Sequence, residues 1–182
     1  MVDTLQAAFW DDPLICWLLP DEASRSRRAA WLFRSLLAYR YVPMRTTWTT
    51  HDQVGAALWA PPGHWRLPPR TVLRTSRLTL RALGRRAFAS LALLEEVERH
   101  HPAEPHWYLS TLGTTPPAQG RGVGSALMAP VLARCDAEGI PAYLESSKET
   151  NIPFYARHGF TVTGEIRAGK GAPTLWSMWR DV

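Results

Sequence analysis

Three glycines alternate in Gln119-Gly120-Arg121-Gly122-Val123-Gly124-Ser125, directly after a strand-like stretch and at the start of a helix-like one. Glycine there lets the backbone take positive φ and approach a ligand closely. The first amides of a helix have no intrahelical partner, and with the positive end of the helix dipole they face any anion held there. Arg121 adds a cation. The run reads either as a phosphate cradle or as a plain turn. It is not a P-loop, because no Lys-Ser/Thr follows, and it is not the dinucleotide fingerprint, whose glycine spacing differs. A second charged feature lies upstream. Arg66, Arg70, Arg74, Arg77, Arg81, Arg85 and Arg86 stand at helical steps, with no acid between Gly63 and Leu94. Most of such a series lies along one side of a helix. It is either a solvated face or a surface for an anionic partner.

The elements that must position these groups follow from composition and periodicity. With 182 residues, 46% of them hydrophobic and 20% charged, the chain suits one globular domain, 1–182. No apolar run approaches the ~18 residues of a membrane span, and no secretory signal opens the chain. Cys16 and Cys135 are far apart and outside any metal-ligand spacing. They fit buried thiols in a reducing cytoplasm, and no metal is expected. The net charge of +5 attracts anions without choosing among nucleic acid, acidic membrane and a phosphorylated cofactor.

Residues 2–10 read as a helix with Leu5, Ala8 and Phe9 on one face, ended by Asp11-Asp12-Pro13. Ser24–Val42 reads as a second helix, with Trp31, Leu32, Leu36 and Tyr39 inward and Arg25, Arg27 and Arg28 outward. Residues 44–50 and 55–61 form a predicted hairpin. A proline-rich loop, Ala60–Arg70, precedes a long helix broken near Gly84. Then come a strand at His106–Gly113, a helix from Gly122 to Glu138 stopped by Gly139, a strand at 141–147, and a short helix between Asn151 and Gly159. Two alternating segments, 160–166 and 173–180, close the chain. This order gives an α/β (α+β) fold around one mixed sheet.

From Glu104 to Thr163 the chain resembles the Gcn5-related N-acetyltransferase (GNAT) superfamily. The likeness is carried by the strand ending at Leu112-Gly113-Thr114, by Gln119, Gly122 and Gly124 in a Gln/Arg-x-x-Gly-x-Gly/Ala pattern, by Tyr143-Leu144-Glu145, and by Asn151-Ile152-Pro153-Phe154-Tyr155. Within the superfamily it is most similar to puromycin N-acetyltransferase-like bacterial enzymes. The resemblance implies a GNAT fold, with a mixed, mostly antiparallel central sheet flanked by helices. GNAT folds usually open on a strand, and here helix-like sequence begins at about residue 2, so that first strand is expected to be missing.

The resemblance also implies a cofactor, acetyl-CoA, as acyl donor. Leu112, Gly113 and Thr114 would pair with pantetheine, and Gln119, Gly120, Arg121, Gly122, Val123, Gly124 and Ser125 would cradle the pyrophosphate. Asn151 would touch the cofactor or cap its own helix. Tyr155 matches the family tyrosine that hydrogen-bonds the CoA sulfur, and a phenol can protonate a leaving thiolate. Acyl transfer to an amine also needs a proton acceptor. Glu145, on the same strand face as Tyr143, is the candidate catalytic base, with His106 as its competitor. The acceptor wall is drawn from Trp10, Asp12, Trp17 and the 60–65 loop. Trp10 and Trp17 would stack on a planar substrate and Asp11 or Asp12 would hold an amine, unless the tryptophans are core and the Asp-Asp-Pro run only ends a helix. Three functions stay open: acetyl transfer by direct attack of a small-molecule primary amine, as in antibiotic modification or biosynthesis; aminoacyl-tRNA-dependent amide formation, with tRNA on the arginine series; and a non-catalytic acyl-CoA-binding regulator.

Overall fold

The computed structural model describes residues 1–167 and 171–182. Among the described residues the eight α-helices are α1 (Val2–Ala8), α2 (Pro13–Leu18), α3 (Glu22–Leu36), α4 (Val42–Met44), α5 (Pro69–Leu83), α6 (Ala87–His100), α7 (Val123–Glu138) and α8 (Ile152–Ala156). The six strands among the described residues are β1 (Thr47–Thr49), β2 (Gly55–Ala60), β3 (Trp107–Thr114), β4 (Ala142–Ser146), β5 (Thr161–Arg167) and β6 (Thr174–Arg180). They form one sheet in the order β1-β2-β3-β4-β6-β5. Only β3 and β4 run parallel; the other neighbours are antiparallel. This is the mixed, mostly antiparallel sheet of a GNAT fold, and no strand precedes α1 among the described residues.

Each sheet face carries its own apolar cluster. Trp59, Leu109, Leu144 and Met178 face α7 and α8, where they meet Leu127, Met128 and Phe160. Leu58 and Ala60 face the other way, onto Leu5, Phe33 and Tyr41. β2 is therefore buried along its whole length. That accounts for its unbroken apolar sequence, as in strands covered on both faces.

The sheet has one local fault that matters for function. Leu58 of β2 opposes Thr111 of β3, while its neighbour Trp59 opposes Leu109. Ser110 is thus an extra residue, a β-bulge, which bends its strand and interrupts the alternation of faces. Pairing of β3 with β4 covers only Trp107–Leu109 against Ala142–Leu144. Beyond it, Glu145 and Ser146 pair with β6 alone, and Ser110 to Thr114 run on beside β2 with their other edge open.

Three expectations change. Asp11-Asp12-Pro13 does not merely end a helix: Asp12 accepts the amides of Leu14 and Ile15 and starts α2, with proline at its first position. The second helix stops at Leu36 and passes through a π-helical turn, Leu37–Tyr41, so Phe33, Leu37 and Tyr41 turn inward and Tyr39 is exposed. Arg25 and Arg28 are not free on the outside, because each donates from Nε to a backbone carbonyl, of Leu19 and of Ala82. The break at Gly84 is present, as a 3-10 turn over Gly84–Arg86 between α5 and α6.

Gly113 sets how closely α1 lies on β3. A Cβ placed there would sit 2.8 Å from Phe9 Cε2 and 2.9 Å from the Ala8 Cβ. The Ala8 Cβ is fixed to the helix backbone and cannot swing aside. Gly113→Ala should cost about 1–3 kcal/mol by overpacking, read as a lower midpoint in urea unfolding; an unchanged midpoint would show that α1 is free to move.

Candidate active site

Where β3 and β4 part, a cavity of about 640 Å3 opens between the free edge of β3, the 118–125 loop, α8 and the end of α1. The loop is shaped by two of its three glycines. Gly120 and Gly122 have φ of 73° and 79°, with open space where a Cβ would point. They are there for the left-handed backbone, which side chains other than glycine rarely adopt. Gly124 serves packing instead: its Cβ would lie 3.0 Å from Phe154 Cζ. Gly122 is the N-cap of the 16-residue α7, and no side chain caps the helix start. The amides of Val123, Gly124 and Ser125 are left for an anion. Lys148 and Arg157 line the same cavity, and the exposed Arg121 flanks the loop. Gln119 Nε2 donates to Thr114 O at 3.1 Å, tying the loop to the end of β3.

Leu112, Gly113, Thr114, Gln119, Gly120, Gly122, Val123, Gly124, Ser125, Asn151 and Tyr155 all line this cavity. Asn151 makes no side-chain cap to α8, so that alternative role is not seen. Tyr155 is buried with 8% exposure between Phe154 and Phe160. Burial, with the nearby charge of Asp12 adding to it, pushes its phenol well above the ordinary tyrosine value. It therefore stays protonated as a donor at neutral and moderately alkaline pH.

A second cavity of about 400 Å3 lies on the opposite side of the sheet, under α2, α3, α5 and α6. Phe9 and Asp12 line both cavities, so the two meet there. The bulge turns both Ser110 and Thr111 toward the second cavity, where Glu145 also points. The Glu145 carboxyl is 6% exposed and its Oε1 lies 3.4 Å from His101 Nδ1. His101 Nε2 is 3.0 Å from His106 Nε2, and His106 Nδ1 is 2.6 Å from the carbonyl of Glu104.

This chain of contacts assigns its own protons. A carbonyl only accepts, so His106 carries its proton on Nδ1 and presents a bare Nε2. His101 must then donate from Nε2, leaving its Nδ1 facing Glu145. Both facing atoms, His101 Nδ1 and Glu145 Oε1, are buried without a hydrogen-bond partner among the described residues. Burial holds His106 below the ordinary histidine value, which keeps it neutral in this arrangement. Trp65 stacks on His101 with ring centroids 3.7 Å apart, and Arg40 Nη2 donates to the backbone carbonyls of His64 and Trp65. Arg40 thereby pins the proline-rich loop over the histidine. His106 enters by way of His101 rather than at the cavity wall, and His101 has no sequence motif to mark it.

Of the three acceptor-wall candidates, Asp12 is at the junction. Trp10 and Trp17 line neither cavity. Trp10 lies under Arg25, and Trp17 packs beside Leu93, Ile166 and Leu175 with Arg86 over its ring. The arginines at 66, 70, 74, 77, 81 and 85 are exposed. Arg66 and Arg81 lie over Trp65 and Trp31, at 4.8 Å and 4.5 Å from the ring centroids.

Asp12 accepts from Ser147 Oγ and from two amides, yet burial dominates and raises its carboxyl above the ordinary 3.8. A raised folded value means that its contribution to stability is complete below the unfolded value and is lost as pH rises through the folded one. Asp12→Asn keeps a cap oxygen without the charge. Its melting temperature relative to the native protein should rise as pH goes from about 3 to 7; a difference that is flat with pH would contradict the shift.

The comparisons with known proteins agree with this geometry. The model of the acetyltransferase (GNAT) family matches residues 83–160. An uncharacterized N-acetyltransferase of Schizosaccharomyces pombe is 30% identical over 174 residues, covering 90% of this chain and 70% of the relative. The crystal structure of histone acetyltransferase HPA2 and related acetyltransferase from Corynebacterium glutamicum superposes with a TM-score of 0.71 at 29% identity, covering 99% of this chain and 88% of that one. Arylalkylamine N-acetyltransferase 2 of Aedes aegypti shares the fold, with a TM-score of 0.59 at 12% identity over 99% of this chain and 92% of that one. Acetyl-CoA is the donor used by the family that these matches define, and the chain belongs to it: this is an acetyltransferase of the GNAT family.

Proposed function

We propose that residues 1–182 form one domain that moves an acetyl group from acetyl-CoA to the primary amine of a small molecule. One observation carries this reading: an open strand edge and a row of free helix amides flank one cavity, which meets a second cavity at a buried carboxylate. The amides of Val123, Gly124 and Ser125 would hold the pyrophosphate, with Gln119, Gly120, Arg121 and Gly122 shaping and charging the cradle. Leu112, Gly113 and Thr114 would offer backbone groups to the pantetheine amides, as an edge strand does to an added strand. Asn151 would close the rim. Over Glu104–Thr163 the motif pattern supports a likeness to the puromycin N-acetyltransferase-like enzymes.

Bound acetyl-CoA supplies the thioester. Asp12 and Glu145 hold the amine and Glu145 takes its proton, with His101 sharing that proton and His106 fixing the tautomer of His101. The new bond joins the amine nitrogen to the acetyl carbon as the carbon–sulfur bond breaks. Tyr155 gives its phenolic proton to the leaving thiolate. It regains a proton as the one taken up at Glu145 passes to solvent, so the reaction yields an N-acetyl amide and free CoA with no net proton held.

A second reading, an aminoacyl-tRNA-dependent transferase, draws on the exposed arginines of α5. Titration of the protein with acetyl-CoA and with tRNA separates the two. Acetyl-CoA binding without tRNA binding is the expected result, and the reverse would replace this reading with the second. In kinetics, Tyr155→Phe should lower kcat at least about tenfold with acetyl-CoA affinity nearly unchanged, and Glu145→Gln should remove the acidic limb of the pH–rate profile. Full turnover in the first variant takes Tyr155 out of the chemistry; an intact limb in the second does the same for Glu145.

A further inference from the structure

The second cavity has the lining of a receptor for one kind of molecule. We propose that the acceptor is a primary monoamine on an uncharged lipophilic body, an alkylamine or arylalkylamine, and that polyamines and peptide N-termini are rejected. This inference rests on the acetyl-transfer reading above.

The cavity's volume of about 400 Å3 falls in the range of small-molecule sites. Leu18, Leu32 and Leu36 wall it from α2 and α3, and Leu83, Leu93 and Val97 wall it from α5 and α6. Two of the hydroxyls on its helical walls are engaged within their own helices. Thr71, Thr75 and Thr79 follow one another at four-residue steps on the inner face of α5. The Thr75 hydroxyl donates to Thr71 O at 2.8 Å, and Ser90 Oγ donates to Ala87 O at 2.7 Å. With those bonds made inside their own helices, Thr75 shows a methyl group to the cavity.

Charge is confined to one end. Among the described lining residues the charged groups are Asp12, Glu145 and Arg40. Arg40 Nη2 is held by the carbonyls of His64 and Trp65, which directs this cation to the proline-rich loop, and its Nε has no hydrogen-bond partner among the described residues. Two carboxyls remain, beside the junction with the first cavity, and Glu145 Oε1 has no hydrogen-bond partner among the described residues. One ammonium group fits there. A second would lie against aliphatic wall and lose its hydration without a partner. A peptide would bury backbone amides against the leucine and valine walls, where nothing pairs them.

The test has two arms. In the first, thiol release from acetyl-CoA is followed with a series from ethylamine to octylamine, phenylethylamine, spermidine and an alanyl peptide. kcat/KM should rise about three- to fourfold per added methylene until the cavity is full, with spermidine and the peptide at least about a hundredfold below octylamine. Thr75→Phe should move the optimum to shorter amines. Flat dependence on chain length, or preference for spermidine or the peptide, overturns the inference. In the second arm, octylamine and spermidine are titrated directly into the CoA-saturated protein and into the protein alone. Tighter binding of octylamine supports the inference, and equal or reversed affinities overturn it. This arm needs no acetyl transfer. A chain that failed to bind acetyl-CoA would strike the reading in the preceding subsection, and octylamine binding would still decide the cavity.

Discussion

The site depends on one extra residue in β3. Ser110 has no counterpart in β2, and pairing with β4 ends one residue before it. Two adjacent parallel strands are thereby forced apart in the middle of a sheet. Unpaired strand edges inside a fold are costly unless something satisfies them. Here the gap is lined by α8, the glycine loop and the first helix, which leave room for an extended polar ligand. The same bulge points Ser110 and Thr111 together into the second cavity. The end of the β3–β4 pairing thus borders the first cavity, and the bulge beside it lines the second.

The buried polar groups fall on that junction. Asp12 caps α2, accepts from Ser147 and touches both cavities, at the expense of a desolvated carboxyl. Glu145, His101 and His106 form a second polar thread, closed over by Trp65. Groups like these are expensive in a sheet core and are kept where they do chemistry or specify geometry. The apolar remainder is ordinary by comparison. β2 is sealed on both faces, and α7 and α3 each bury one stripe of side chains.

Much of this was legible in the residues, for local reasons. Alternating glycines before a helix announce positive φ and free amides, and the structure gives Gly120 and Gly122 that role while assigning Gly124 to packing against Phe154. The hairpins and the long helices follow from periodicity. What stayed hidden depends on partners far along the chain. The bulge at Ser110 exists only in the register between β2 and β3. His101 sits at the end of α6, in a sequence indistinguishable from a helix terminus, and meets Glu145 through tertiary packing. Trp10 and Trp17 read as stacking surfaces because aromatic residues often are, but arginines and core residues occupy their faces. α2 was masked because Asp-Pro both ends one helix and begins the next.

The most direct measurement is amide hydrogen exchange of the intact chain with and without CoA. The account predicts slowed exchange in β3 between Ser110 and Thr114, on its edge facing the gap, and at Val123, Gly124 and Ser125, while α5 exchanges as before. CoA that binds by titration yet leaves both segments exchanging at their free rates, or protects α5 instead, would contradict it.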